Sequence, residues 1–285
     1  MKSRIHLLVI DPQNDFCDLP AEYLPRLSAV QPGLPVPGAH ADMQRLSAMV
    51  YRGLRGLSEI SVTLDSHPHL GIERPTFWMQ GDGSDMRPFT QVLASDVRAG
   101  RYLPRNPKAT ARVVAYLDAL EAAGRYTLMV WPVHCEVGTW GHNVHADLRR
   151  AYNAWEEREF GAVQKVAKGS NPWTEHYSAL MAEVPDPTDP ATQLNRRLID
   201  ALEQADLIPV AGEAGSHCVK ATVEHIADNF GQDNLKRLVL LTDCISPVTG
   251  FEQQYKDFLA DMSRRGLQLS TSADFLSELV ANARK

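Results

Sequence analysis

Apolar runs at residues 5–10, 60–64, 126–131, 163–167, 207–211 and 238–242 constrain this chain more than any other feature. Each is short, nearly continuous, and ends in polar residues or a glycine-containing turn. Runs of that kind suit strands buried on both faces, as in a parallel sheet. Between them, apolar residues recur at helical spacing: Met43, Leu46, Val50 and Leu54; Val113, Leu117 and Leu120; Val219, Val223 and Ile226. Alternating strand and helix predicts an α/β fold, a parallel sheet covered on both faces. Functional residues then belong at the carboxyl ends of the strands.

Two stretches read as loops. Residues 19–38 are rich in proline, and residues 80–108 are polar with several Gly, Arg and Pro. Long loops inside a compact fold often serve as lids or binding segments. No internal repeat or composition shift marks a boundary, so residues 1–285 are expected to form one domain.

Composition narrows the function. Of 285 residues, 44% are hydrophobic and 22% charged, and the net charge is −6. No Lys/Arg stripe suggests a nucleic-acid surface, so no nucleic-acid partner is expected. No stretch approaches the ~18 apolar residues of a membrane span, and the apolar run near the N-terminus is too short for a signal peptide. The expected setting is cytoplasmic, without membrane contact. Cys17, Cys135, Cys218 and Cys244 are scattered and contain no CxxC pair, which points to reduced thiols rather than a disulfide framework.

The chemistry-bearing residues follow the apolar runs. Cys218 stands after a small-residue turn, at the start of a predicted helix. Unpaired amides and the positive helix end there favour thiolate, the nucleophilic form. Asp11 directly follows the first run, where a carboxylate can take a thiol proton and return it to a leaving amine; Asp15 competes for that role. Lys168 follows the fourth run, where an ammonium can stabilise a thiolate and hold a carboxylate. Asp65 and His67 end the second run. Side chains two apart on an extended chain point the same way, so both can reach one ion. His134 ends the third run. Two imidazoles and a carboxylate suit Zn²⁺, with Fe²⁺ and Mn²⁺ as alternatives, and leave open positions for water or substrate. Glu73 and His69 are both candidates for a fourth ligand. His142 and His145 would share a face if helical, although surface or capping roles suit them better. Taken singly, each of these residues has an ordinary structural explanation.

In order, however, they resemble the isochorismatase-like cysteine hydrolases, and within them the nicotinamidases. The matching segments are Asp11-Pro-Gln-Asn-Asp-Phe16, Asp65-Ser-His67-Pro, Trp131-Pro-Val-His134-Cys135, Lys168-Gly169 with Tyr177-Ser178 downstream, and Gly212-Glu-Ala-Gly-Ser-His-Cys218. The resemblance implies a three-layer α/β/α sandwich around a mostly parallel six-stranded sheet, closed by a final helix and strand. It implies Asp11 as general base, Lys168 as electrostatic partner and Cys218 as nucleophile, forming a thioester. Asp65, His67 and His134 would hold the metal. The amides of Ala214 and Cys218 would form the oxyanion hole, with a cis peptide before Ala214. Phe16, Trp131 and Tyr177 would hold an aromatic ring. The implied reaction is nicotinamide plus water to nicotinate and ammonia, a step of NAD metabolism. The implied partners are a small amide substrate and a second copy of the chain in a homo-oligomer.

The chain also departs from the family. An insert at 77–125, with a predicted helix at 109–123 and a strand at 126–130 after it, separates the metal motifs. Glu213 stands where a small or apolar residue is usual and would add a carboxylate near the pocket. Ser66 replaces a bulky residue. A rebuilt pocket would keep the hydrolase chemistry but change the amide or carbamoyl substrate. A different class altogether, a catalytically silent metal- or ligand-binding protein, would share the fold without the reaction.

Overall fold

The structure, a computed structural model, describes residues 1–26 and 29–285. The expected loop at 19–38 therefore lies partly outside the described residues. In chain order the first elements are β1 (His6–Ile10), α1 (Ala39–Gly53), β2 (Glu59–Asp65), β3 (Trp78–Gln80), β4 (Thr90–Val92), α2 (Ala94–Arg98), β5 (Tyr102–Pro104), α3 (Thr110–Ala123) and β6 (Leu128–Val130). Then come α4 (Ala146–Glu159), β7 (Gln164–Lys168), α5 (Arg196–Glu203), β8 (Ile208–Gly212), α6 (Cys218–Asn229), β9 (Leu238–Leu241), α7 (Glu252–Arg264), β10 (Gln268–Ser270) and α8 (Ser272–Asn282).

The main sheet has six strands in the order β10-β9-β8-β1-β2-β7. Every pairing in it is parallel. Helices cover it, with α1 packed against both α4 and α8, and α6 against α7. β1, β8 and β9 are wholly buried, which explains their unbroken apolar runs. The chain leaves β1 towards β2 and β7, then returns on the other side for β8, β9 and β10. The strand order thus reverses between β1 and β8, and ligand sites in such sheets open at that reversal, beyond the carboxyl ends.

Close backbone packing seals this point. Gly212 pairs with Ile10 in the β1–β8 ladder and has φ +119°. A Cβ on Gly212 would lie 2.0 Å from the Ile10 carbonyl oxygen. Gly212→Ala is therefore expected to cost about 3 kcal/mol or more, from left-handed strain and backbone overlap together. Urea unfolding measures this; a loss below ~1 kcal/mol would contradict the packing argument.

One strand expectation needs correction. The apolar run at 126–131 is not a sheet strand: β6 lies outside the main sheet and pairs antiparallel with β4. The insert closes on itself around a small core that includes Ile72, Trp78, Val92, Val97, Val113, Leu117, Leu128 and Val130. Residues Leu128 and Val130 are apolar because of that core. The sixth sheet strand is β10, at the edge and largely exposed. A polar edge strand leaves little apolar signal and resists edge-to-edge pairing. The expected helix of the insert is present as α3, and its loop-like part carries β4, α2 and β5. Among the described residues, no helix is long and apolar enough to cross a membrane.

Candidate active site

The sheet order decides which strand ends become neighbours. Asp11 follows β1, Asp65 ends β2, Lys168 ends β7, and Cys218 begins α6 after the turn that leaves β8. Asp65 and Lys168 are register partners across β2 and β7. Asp11, at φ +42°, turns its side chain into the same space. Its Oδ1 accepts a hydrogen bond from Thr63 Oγ1 at 2.5 Å.

Lys168 is the hub. Its Nζ lies 2.9 Å from Asp11 Oδ2, 2.9 Å from Asp65 Oδ1 and 3.6 Å from Cys218 Sγ. It also donates to the His176 carbonyl at 3.0 Å. All four side chains are buried. Burial would strip a lysine of its proton, but Asp11, Asp65 and Cys218 outweigh it and hold the ammonium well above its ordinary range.

Burial pushes the Cys218 thiol well up; Lys168 pulls it down, while Asp11 and Asp65 push it higher. A thiol raised in this way calls for a base in attack, and Asp11 is the carboxylate beside it. Burial also raises the Asp11 carboxyl, against the pull of Lys168, so Asp11 is a stronger base than an exposed aspartate.

Asp65 links this group to a second one. Its Oδ2 lies 2.7 Å from His67 Nε2 and 3.3 Å from His134 Nε2. One ligand atom from each of Asp65, His67 and His134 falls within 4.8 Å of the others, and all three residues are buried. The insert does not displace His134. His67 N donates to the Cys135 carbonyl and Val137 N to the His67 carbonyl, at 3.1 and 3.0 Å, which ties the two motifs together.

The donor set suits a cation. Burial lowers His67 to about 4, so its ring is neutral and carries one N–H. That proton faces two acceptors, the Gly169 carbonyl at 2.9 Å from Nδ1 and Asp65 Oδ2 at Nε2. With Nδ1 donating to Gly169, Nε2 meets a carboxylate with a lone pair, and a metal ion satisfies that contact. His134 repeats the arrangement, its Nδ1 lying 2.7 Å from the Pro132 carbonyl. Such backbone acceptors fix the tautomer and aim the other nitrogen at a metal.

Neither candidate for a fourth ligand joins the cluster. Glu73 lies 3.3 Å from His67 Nδ1, on the far side of the ring, and pairs with the buried Arg74 at 3.2 Å. It backs the His67 ring and stands outside the donor set. Burial, opposed by Arg74, raises its carboxyl to about 7. His69 is exposed and pairs with Glu136. Asp15 is likewise occupied: its carboxylate accepts the amides of Cys135 and Gly33 at 2.6 and 2.9 Å. His142 and His145 share no helix face; His142 lies 2.9 Å from Ser66 Oγ, and His145 caps α4.

Phe16, Trp131, Tyr177, Ala214 and Cys218 all line one pocket, together with Asp65 and His134. Trp131 Nε1 donates to Tyr177 Oη at 2.9 Å, which fixes two of its walls. The peptide between Glu213 and Ala214 is cis. Neither the Ala214 nor the Cys218 amide donates to another group among the described residues. Glu213, expected near the pocket, points away from it, towards Ser246.

Sequence reasoning gave too little weight to two lining residues. His217 packs against Trp131, Tyr177 and Phe251 with ring centroids at 5.0, 5.2 and 4.7 Å. Glu175 is 4% exposed and its Oε2 has no protein partner. Burial, with Glu73 and Asp65 nearby, holds its carboxyl well above the usual range. Its local sequence carries no signal; the backbone amide bonded to Tyr116 Oη of the inserted α3 helps fix it there.

No protein-family model and no curated protein sequence matches this chain. Solved structures do. The nicotinamidase/pyrazinamidase of Acinetobacter baumanii superposes with a TM-score of 0.61 at 18% identity, over 96% of this chain and 98% of that one. The yeast nicotinamidase bound to the inhibitor nicotinaldehyde gives 0.60 at 19% identity, over 94% and 99%. The chain has the nicotinamidase fold. A third structure with this fold, the pyrazinamidase of Pyrococcus horikoshii in complex with zinc, gives 0.52 at 18% identity, over 94% and 99%.

Proposed function

We propose that this protein is a cysteine-dependent amidohydrolase acting on a small aromatic carboxamide, with nicotinamide as the leading substrate. The observation that carries the reading is the Lys168 ammonium held between Asp11, Asp65 and Cys218 at the sheet reversal. A buried thiol, a base and a cation within reach of an aromatic-walled pocket are the parts that nucleophilic amide hydrolysis needs. The solved amidases of this fold support the choice of substrate class.

In the proposed reaction Asp11 takes the Cys218 proton as sulfur attacks the carboxamide carbon. The oxyanion rests on the Ala214 and Cys218 amides, each such donor contributing roughly 3 kcal/mol in comparable sites. Asp11 then returns the proton to the departing ammonia. Water, deprotonated by Asp11, cleaves the thioester to the acid and restores the thiol. Phe16, Trp131 and Tyr177 hold the ring, and Lys168 keeps the charges paired throughout. Asp65, His67 and His134 would hold a divalent metal, Zn²⁺ before Fe²⁺ or Mn²⁺, which when bound supplies a Lewis-acidic anchor for the ring nitrogen.

A longer amide is the second reading. A polar cleft lined by Gln91, Arg125, Thr127 and Gln254 shares Tyr177 and His217 with the pocket, and part of it comes from the insert. Ammonia release from nicotinamide, with nicotinate as the co-product, tests the first reading. No release from a protein whose Cys218 still reacts with thiol reagents favours the second. Failure of both favours a silent binding protein.

Metal loading gives an independent check. Protein reconstituted with Zn²⁺ is expected to retain one equivalent by elemental analysis. His67→Ala and His134→Ala should each retain less than about a tenth, since each removes one of three protein ligands. Full retention by both variants would refute this ligand set.

A further inference from the structure

Behind the turn that carries Ala214 lies a buried acid pair that the proposed reaction does not use. Glu213 is fully buried and Asp42, on α1, nearly so. Their carboxyl groups both reach the same residue, Ser246. Arg45 pairs with Asp42; Glu213 has no cation, and its Oε1 has no donor among the described residues. Burial, with Asp42 beside it, pushes the Glu213 carboxyl well above the usual range.

Both acids grip Ser246. Its amide donates to Glu213 Oε2 at 3.2 Å, and its hydroxyl donates to Asp42 Oδ2 at 2.5 Å. The Ser246 carbonyl in turn accepts the Gly215 amide at 2.8 Å. Gly215 follows Ala214 directly and is itself confined: a Cβ there would meet Tyr255 and Ile245 within 2.8 Å. A continuous chain of contacts thus runs from the acid pair through Ser246 to the turn that presents the Ala214 and Cys218 amides.

We infer that Glu213 is a positioning residue, which with Asp42 clamps Ser246 and so holds the oxyanion-binding turn in register with Cys218. The inference rests on the thioester reading of the site, but not on nicotinamide as substrate. An apolar residue at 213 would fill the same space and lose the clamp.

Two reactions of Cys218 separate positioning from mere stability. Acylation by p-nitrophenyl acetate forms the S–C bond, expels p-nitrophenolate and passes through an oxyanion. Alkylation by iodoacetamide displaces iodide at carbon and needs no oxyanion site. Glu213→Leu is expected to slow acylation about 30-fold, part of the ~10²–10³ lost when a donor is removed outright. Alkylation should stay within about twofold. Glu213→Gln, whose side-chain oxygen can still accept from the Ser246 amide, should restore acylation to within about threefold of wild type. If the leucine variant does not fold, Ser246→Ala carries the test, with acylation falling about fivefold and alkylation unchanged. Equal loss of both reactions, loss of neither, or a glutamine variant as slow as leucine would overturn the inference. A wild-type thiol that alkylates but never acylates would overturn it too. Normal acylation without ammonia release from nicotinamide would instead sink only the substrate assignment.

Discussion

Replacing Cys218 with alanine is expected to lower ammonia release from nicotinamide by on the order of 10⁴- to 10⁶-fold, the scale set by loss of a catalytic nucleophile. The fold should survive, because the change removes one buried sulfur at the first turn of α6. Loss of a group this small from a well-packed site typically costs ~1–2 kcal/mol. Circular dichroism and the urea midpoint would separate the two effects. Cys218→Ser is the sharper variant. A hydroxyl is far harder to deprotonate than a thiol, and Asp11, though raised by burial, is too weak a base for it. The serine variant should therefore remain within about tenfold of alanine. Substantial turnover by either variant would remove Cys218 from the reaction and leave direct attack by water as the mechanism.

Lys168→Met should act on both activity and stability. The variant keeps the length of the side chain but leaves Asp11 and Asp65 buried without their shared cation. Breaking a buried pair by removing one partner costs roughly 3–5 kcal/mol. Loss of the charge that balances the thiolate and the base should lower turnover by on the order of 10³-fold. The pH dependence has a definite sign. In the wild type the Lys168 pKa is raised in the folded state, so its contribution is complete at neutral pH and fades only in strong alkali. In the variant, burial and the Asp65 charge push Asp11 above its unfolded value, with no ammonium to oppose them. The folded variant then binds a proton that the unfolded chain does not, and lower pH stabilises it. The deficit relative to wild type should shrink from pH 8 towards pH 5. A deficit that grew on acidification would contradict the charge arrangement.

The parts of this site that could be read in the sequence share one property: each is a polar residue fixed to the end of an apolar run. Asp11, Asp65 and Lys168 are legible because a buried strand announces itself and its carboxyl end has one place to go. Residues whose position depends on tertiary packing were harder. Glu175 enters the pocket from an irregular segment, and Glu73 is near His67 but on the wrong nitrogen. The surroundings of the Cys218 sulfur are half legible for a related reason: the helix N-terminus is visible in sequence, whereas the burial that raises the thiol is not. The run at 126–131 misled because apolarity reports burial without saying in which core. Leu128 and Val130 belong to the core of the insert, while the strand that completes the main sheet, β10, is too exposed to look like one. Glu213 shows the reverse error. Its departure from the family pattern was evident, but its direction, away from the pocket and into a carboxyl pair, follows only from the turn of the backbone after Gly212.

The central claim is a thioester on Cys218, and acid quenching during turnover of nicotinamide tests it most directly. Thioesters survive acid, so digestion and mass spectrometry should find the nicotinoyl group on the peptide that carries Cys218. Hydroxylamine added before the quench should remove it as the hydroxamic acid. Steady production of nicotinate with that peptide unmodified, and with no hydroxamate formed, would contradict the account.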